Sequence, residues 1–202
     1  MKNKGILIFI ILLMTSASAW FLFNKYRVVI PPVDVAKSEI GWSGKSVSGA
    51  HTGKIGLKKA ELRFQNDKLV GGMFEADMKA ITVTDISDPE ENKGLKDHLE
   101  NEDFFAAEKY PTASFRITES ASSGDGLYRV KGIMKIKEKE QELAFDVKVF
   151  PIGKTGRRAT ATVPFDRTLF GIEYAAKDKP GSEKDWFIYN EILLNINIIS
   201  GN

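Results

Sequence analysis

From Glu39 onward, apolar residues recur mostly at every second position, the period of a half-buried strand. Ile40 and Trp42 share a face, as do Ile55 and Leu57, and then Ala60, Leu62 and Phe64. The change of parity between the last two sets predicts a bulge near Lys58-Lys59. Val70, Phe74, Ala76 and Met78 alternate with polar residues, as do Ala113, Phe115 and Ile117. The same holds for Tyr128, Val130, Met134 and Ile136, and for Leu143, Phe145, Val147 and Val149. Ala159, Ala161, Val163 and Phe165 form a seventh run, and Ile192, Leu194, Ile196 and Ile198 an eighth. Turn-forming stretches at Gln65–Lys68, Ser122–Gly126 and Ile152–Gly156 are short, which favours antiparallel neighbours.

Eight one-sided strands have one wet face and one apolar face. A closed up-and-down barrel leaves no free edge, and a sandwich is the alternative. Residues 90–107 break the pattern. They are acidic and helix-prone, with Asp88 as a cap, Pro89 in the first turn, and Leu95 and Leu99 four residues apart. One or two short helices are expected here, crossing one end of the barrel between the third and fourth strands. The fold class is all-β, an eight-stranded antiparallel barrel with a short helical connection.

The first 30 residues differ from the rest. Lys2 and Lys4 precede the apolar run Ile6–Met14, and Ala17 and Ala19 form an A-x-A arrangement, as in a cleaved secretory signal. Equally, residues 5–23 are 19 uncharged residues. As a helix they would reach roughly 28 Å, enough to serve as an uncleaved membrane anchor. Either reading places residues 31–202 outside the cytoplasm, in a periplasm-like compartment, and an anchor is expected to hold the barrel's mouth near a lipid source. Residues 31–38, opening with Pro31-Pro32, read as a linker to a domain spanning 39–202.

Composition narrows the chemistry. The net charge of +2 arises in the leader, since the remainder carries 25 basic and 27 acidic residues. This is not the charge footprint of a nucleic-acid binder. Lys54, Lys58, Lys59 and Arg63 lie near Phe64, but acids are interleaved among them. With no cysteine there are no disulfides, thiolate metal sites or thiol nucleophiles. The two histidines, His51 and His98, exclude a three-histidine site but leave a two-histidine, one-carboxylate arrangement with Asp97 or Asp103. Glu90, Glu91, Glu100, Glu102 and Asp103 read as a solvated helix face more simply than as glycosidase acids. No G-x-S-x-G elbow is present, and neither Gly71-Gly72 nor Gly124-x-Gly126 opens a helix as a phosphate loop would.

More specific are three blocks of residues. Trp42 is followed by His51-Thr52-Gly53-Lys54-Ile55 and by Gly71-Gly72-Met73-Phe74-Glu75-Ala76-Asp77-Met78. Residues 95–115 fit L-x-x-H-L-x-x-x-D-F-F-x-x-x-x-Y-P-x-A-x-F. Phe165-Asp166-Arg167-Thr168-x-Phe170-Gly171-Ile172 lies near the C-terminus. In this order, over about residues 34–200, they resemble the YceI-like family. The chain departs at Met134–Glu142, where the glycine of the usual hairpin is absent.

The resemblance implies a lipocalin-like barrel with a long apolar pocket for polyisoprenoid chains, including isoprenoid quinones and prenyl phosphates. It implies a binding or carrier protein without catalytic activity and without a cofactor or bound metal. Its partner would be the lipid, and also the membrane if residues 5–23 are retained. The expected pocket residues are Trp42, Phe64, Phe74, Met78, Phe104, Phe105, Phe115, Met134, Phe145 and Phe165, with His51 and His98 at the rim. A barrel filled by its own side chains, acting as a structural or interaction module, is the competing reading.

Overall fold

A computed structural model describes residues 27–177 and 186–201. The short strand β1 (Val28–Val29) is followed by β2 (Glu39–Ser46), β3 (Gly49–Gln65) and β4 (Lys68–Val83). Then come α1 (Pro89–Glu100), β5 (Thr112–Gly124), β6 (Leu127–Ile136), β7 (Lys139–Ile152), β8 (Gly156–Asp166) and β9 (Ile188–Ser200). From β2 to β9 each strand pairs antiparallel with the next, and β9 pairs with β2, so the sheet closes as an eight-stranded barrel.

The local chemistry accounts for this meander. Asn66 and Asp67 turn β3 into β4 with φ of 50° and 61°, a left-handed pair that short polar side chains tolerate. Asp125 and Gly126 do the same between β5 and β6. The β6–β7 turn, which holds no glycine, is made at Lys137 with φ 55°. The β3–β4 register shifts between Leu57 and Lys59, where the change of apolar parity predicts a bulge.

Helix α1 caps one end. The Asp88 carboxylate accepts the Glu90 and Glu91 N–H groups at 3.0 Å each, and Pro89 fills the first turn. The Asn92 side-chain amide donates to the Val83 and Ile86 carbonyls at 3.1 and 2.9 Å, fixing the helix to the end of β4. Lys93–Asp97 and Lys96–Glu100 pair along its outer face, as a solvated face would.

Residues 31–38, the expected linker, are hydrogen-bonded to the barrel. Gly201 N donates to Pro32 O at 2.8 Å, Asp34 N to Ile199 O at 2.9 Å, and Val28 and Val29 pair with Gln65 and Phe64. A two-residue strand is too short to show a period, so its pairing is not legible in the sequence. The expected signal or anchor at residues 5–23 lies outside the described residues.

The core has two layers. One, around Leu62, Phe64, Leu69, Tyr128 and Val130, lies toward the β3–β4 turn. The other, around Trp42, Ile81, Leu99, Phe104 and Phe170, lies under α1.

Candidate functional site

The barrel is hollow. A cavity of about 370 Å³ runs through its interior, bounded by residues of every long strand and of α1. That volume falls within the range of small-molecule sites.

Its wall is overwhelmingly aliphatic and aromatic. Phe115 and Phe145 meet with ring centroids 5.2 Å apart. The Phe115 ring lies across Gly132, where a Cβ would come within 2.4 Å of it. Glycine on β6 is therefore what lets this ring cross the interior.

The opening is defined by exposure. Every exposed side chain on the wall (Lys45, Ser48, His51, Tyr174 and Trp186) belongs to the β2–β3 hairpin or to the β8–β9 connection. Tyr174 is 37% exposed and Trp186 46%.

The opposite end is shut. Phe64, Tyr128 and Val130 are buried beyond the cavity, and the Arg157 guanidinium lies 5.8 Å from the Phe64 ring centroid. Arg157 continues across the end to donate to the Asp67 carboxylate at 2.6 Å.

Of the residues expected at the pocket, the structure places Trp42, Phe74, Met78, Phe104, Phe105, Phe115, Met134, Phe145 and Phe165 on the cavity wall. His51 and His98 are also on the wall, toward the mouth. Phe64 is not. Its inward parity is right, but it sits one residue from the end of β3 and belongs to the plug. Alternation fixes which face a residue takes, not its depth along the barrel.

Each histidine takes its own carboxylate. His51 Nδ1 lies 2.8 Å from Asp85, whose other oxygen accepts the Thr52 N–H at 2.8 Å. Partial burial pushes the Asp85 carboxyl upward, but the Thr52 N–H and the His51 ring outweigh it. The net effect holds Asp85 below its ordinary carboxylate range. His98 Nε2 lies 3.2 Å from Asp103, and its ring packs edge-on against Phe104 at 4.9 Å and Tyr174 at 4.6 Å. The two histidines thus serve different loops, and among the described residues no cluster of three metal-ligating side chains forms.

The residues of the 95–115 block build the connection after α1. Phe105 N donates to Leu99 O at 3.1 Å, Ala106 N to Asn101 O at 2.7 Å and Ala107 N to Glu100 O at 2.8 Å. Ala106 takes φ 47°, and Met78 N donates to Pro111 O at 3.0 Å, tying the connection back to β4. This packing turns Phe104 and Phe105 toward the cavity. The unusual β6–β7 hairpin is fastened to this connection by Lys137 Nζ, which donates to Phe104 O at 3.2 Å, and to the turn after β8 by Gln141 Nε2, which donates to Leu169 O at 3.2 Å.

Three participants are not among the residues expected from sequence. Tyr174 and Trp186 stand at the mouth, in a stretch whose periodicity predicts nothing. Arg167 is legible in the sequence only as part of a motif. It is 1% exposed and sits on the cavity wall. It donates from Nε to Tyr189 O at 3.3 Å, and from its terminal nitrogens to Ile172 O at 3.0 Å and Ile188 O at 3.1 Å. Burial pushes its guanidinium downward from its usual very high range. One cation thereby ties both ends of the β8–β9 connection to the 3₁₀ turn Arg167–Phe170.

Solved structures share this architecture. BcnA of Burkholderia cenocepacia superposes with a TM-score of 0.69 at 24% identity, over 83% of this chain and 99% of that one. A polyisoprenoid binding domain from Saccharophagus degradans, implicated in plant cell wall breakdown, gives 0.63 at 9% identity, over 87% and 100%. The YceI protein of Campylobacter jejuni gives 0.55 at 15%, over 72% and 82%. No sequence among curated proteins matches the chain. The YceI-like domain pattern matches residues 32–199, nearly the whole barrel, and the chain belongs to the YceI-like family.

Proposed function

We propose that the barrel is a non-catalytic carrier that holds a polyisoprenoid or isoprenoid-quinone lipid in its interior, outside the cytoplasm. The observation that carries this reading is the continuous apolar cavity of about 370 Å³, closed at one end and open at the other. It suits a flexible hydrocarbon chain with a polar group at one end. A chain inserted tail first meets a mostly aliphatic and aromatic wall, and its head group stops among Lys45, Ser48, His51 and Tyr174. The polyisoprenoid-binding relative supports the ligand class. The uncharged run 5–23, read as a signal or an anchor, supports the compartment.

The driving force is removal of the chain from water. Each buried methylene contributes about 0.8 kcal/mol, so an isoprene unit adds on the order of 3 kcal/mol before ordering costs are deducted. Affinity therefore climbs with chain length until the cavity is full.

Trp42 and Trp186 lie on the wall and report occupancy by fluorescence. Titrating the protein with prenols of increasing length is expected to give affinities that rise with each unit and then level off. Binding that ignores chain length, or no binding at any length, overturns the proposal and leaves the interaction-module reading.

A further inference from the structure

The chain joins the barrel at its closed end. Val28 and Val29 pair with Phe64 and Gln65, beside the β3–β4 turn, whereas the mouth lies at the β2–β3 hairpin, at the other end of β3. Strand β3 has 17 residues, about 55 Å of chain, or roughly 40 Å along the axis of a tilted barrel. Only the four residues 24–27 separate the apolar run 5–23 from Val28. Fully extended they reach about 14 Å, far less than the length of the barrel.

The surface of the closed end fits a lipid bilayer. Val28, Val29 and Ile30 are about half exposed, and Leu127, Phe150 and Ile152 are exposed nearby on β6 and β7. None of the six touches the cavity, so the ligand site does not account for their exposure. At the mouth end Tyr174 and Trp186 are exposed as part of the cavity wall, and Val47, Leu169 and Tyr189 are exposed off it. The turns of the closed end, residues 65–68, 124–127 and 152–156, carry Lys68 and Lys154 alongside Asp67 and Asp125, and Arg157 at the start of β8 pairs with Asp67. Exposed apolar side chains between lysines suit the interfacial layer of a bilayer.

We propose that the closed end of the barrel rests on the membrane that residues 5–23 enter, so that the mouth points away from that membrane. This reverses the expectation that an anchor would hold the mouth beside its lipid source. The carrier then exchanges its ligand with an acceptor on the far side, across the aqueous space, and not with the bilayer beneath it. The inference rests on the lipid-carrier reading and on retention of the apolar run.

The chain has no cysteine, so single-cysteine labels are unambiguous. Full-length Ser48→Cys (mouth) and Lys154→Cys (closed end) carry a donor dye and are reconstituted into phosphatidylcholine–phosphatidylglycerol vesicles containing an acceptor-labelled lipid. Transfer is expected to be about twofold or more stronger from residue 154, given ends roughly 40 Å apart. Equal transfer, stronger transfer from residue 48, or a full-length chain that does not float with the vesicles overturns the orientation. Prenyl lipid retained or lost in the same samples, read by mass spectrometry, reports on the carrier reading separately.

Discussion

The Trp42 indole lies flat against Gly53, its cross-strand partner, and donates its N–H to the Thr82 carbonyl at 3.0 Å. A Cβ at position 53 would stand 2.5 Å from Trp42 Nε1 and 1.8 Å from Thr82 O. The Thr82 carbonyl cannot yield without parting β3 from β4, and the indole would have to leave its hydrogen bond. Gly53→Ala is therefore expected to cost at least about 2 kcal/mol of stability. A urea midpoint within error of wild type would show that the wall tolerates the methyl group.

Arg167 holds three backbone carbonyls in the β8–β9 connection. Arg167→Met removes all three donors from a buried site and is expected to cost on the order of 3 kcal/mol. Arg167→Lys does not restore the forked geometry. Hydrogen exchange should accelerate at Ile172, Ile188 and Tyr189 while β5 and β6 keep their protection. Uniform acceleration would mean that Arg167 supports the whole barrel and not the mouth alone.

Asp85 links His51 to the Thr52 amide. Its folded pKa is depressed, so its contribution is fully present above the ordinary carboxylate pKa and is lost as pH falls through the lower, folded value. The Thr52 amide resonance is expected to titrate with a midpoint below the ordinary aspartate range, and Asp85→Asn should abolish that titration. A midpoint at or above the ordinary value would contradict the pairing.

Ala161 lies on the cavity wall, on β8. Ala161→Phe places a ring in the ligand's path while the lost space lies in a cavity, so folding is largely spared. Prenol affinity is expected to fall about tenfold or more, a cost of roughly 1.4 kcal/mol. Phe64→Leu, at the plug, should leave affinity near wild type. Equal losses in both variants would detach binding from the mapped cavity.

The strands were legible because their inward faces are apolar and their outward faces charged. Glu75, for example, points out toward Lys58 at 3.1 Å while its neighbours Phe74 and Ala76 line the cavity. The helix start was legible because Asp88-Pro89 is a local signal. What the sequence could not show is set by distance along the chain. Asp85 meets His51 across 34 residues, and Arg157 meets Asp67 across 90. Periodicity has no axial coordinate, so it does not separate Phe64, in the plug, from the residues of the cavity wall. Arg167 is not legible as a wall residue because charge ordinarily signals the surface, and only the carbonyls gathered around it reverse that expectation.

The central claim is that the cavity carries an isoprenoid lipid, and the most direct measurement is made on the protein from its own cells. The full-length chain is purified gently from the membrane and extracytoplasmic fractions, weighed by native mass spectrometry, and extracted for lipid identification. A single prenyl lipid or isoprenoid quinone, bound one per chain and displaced in Ala161→Phe, is the predicted result. A clean apo mass, with no uptake of added prenyl lipid, would contradict it.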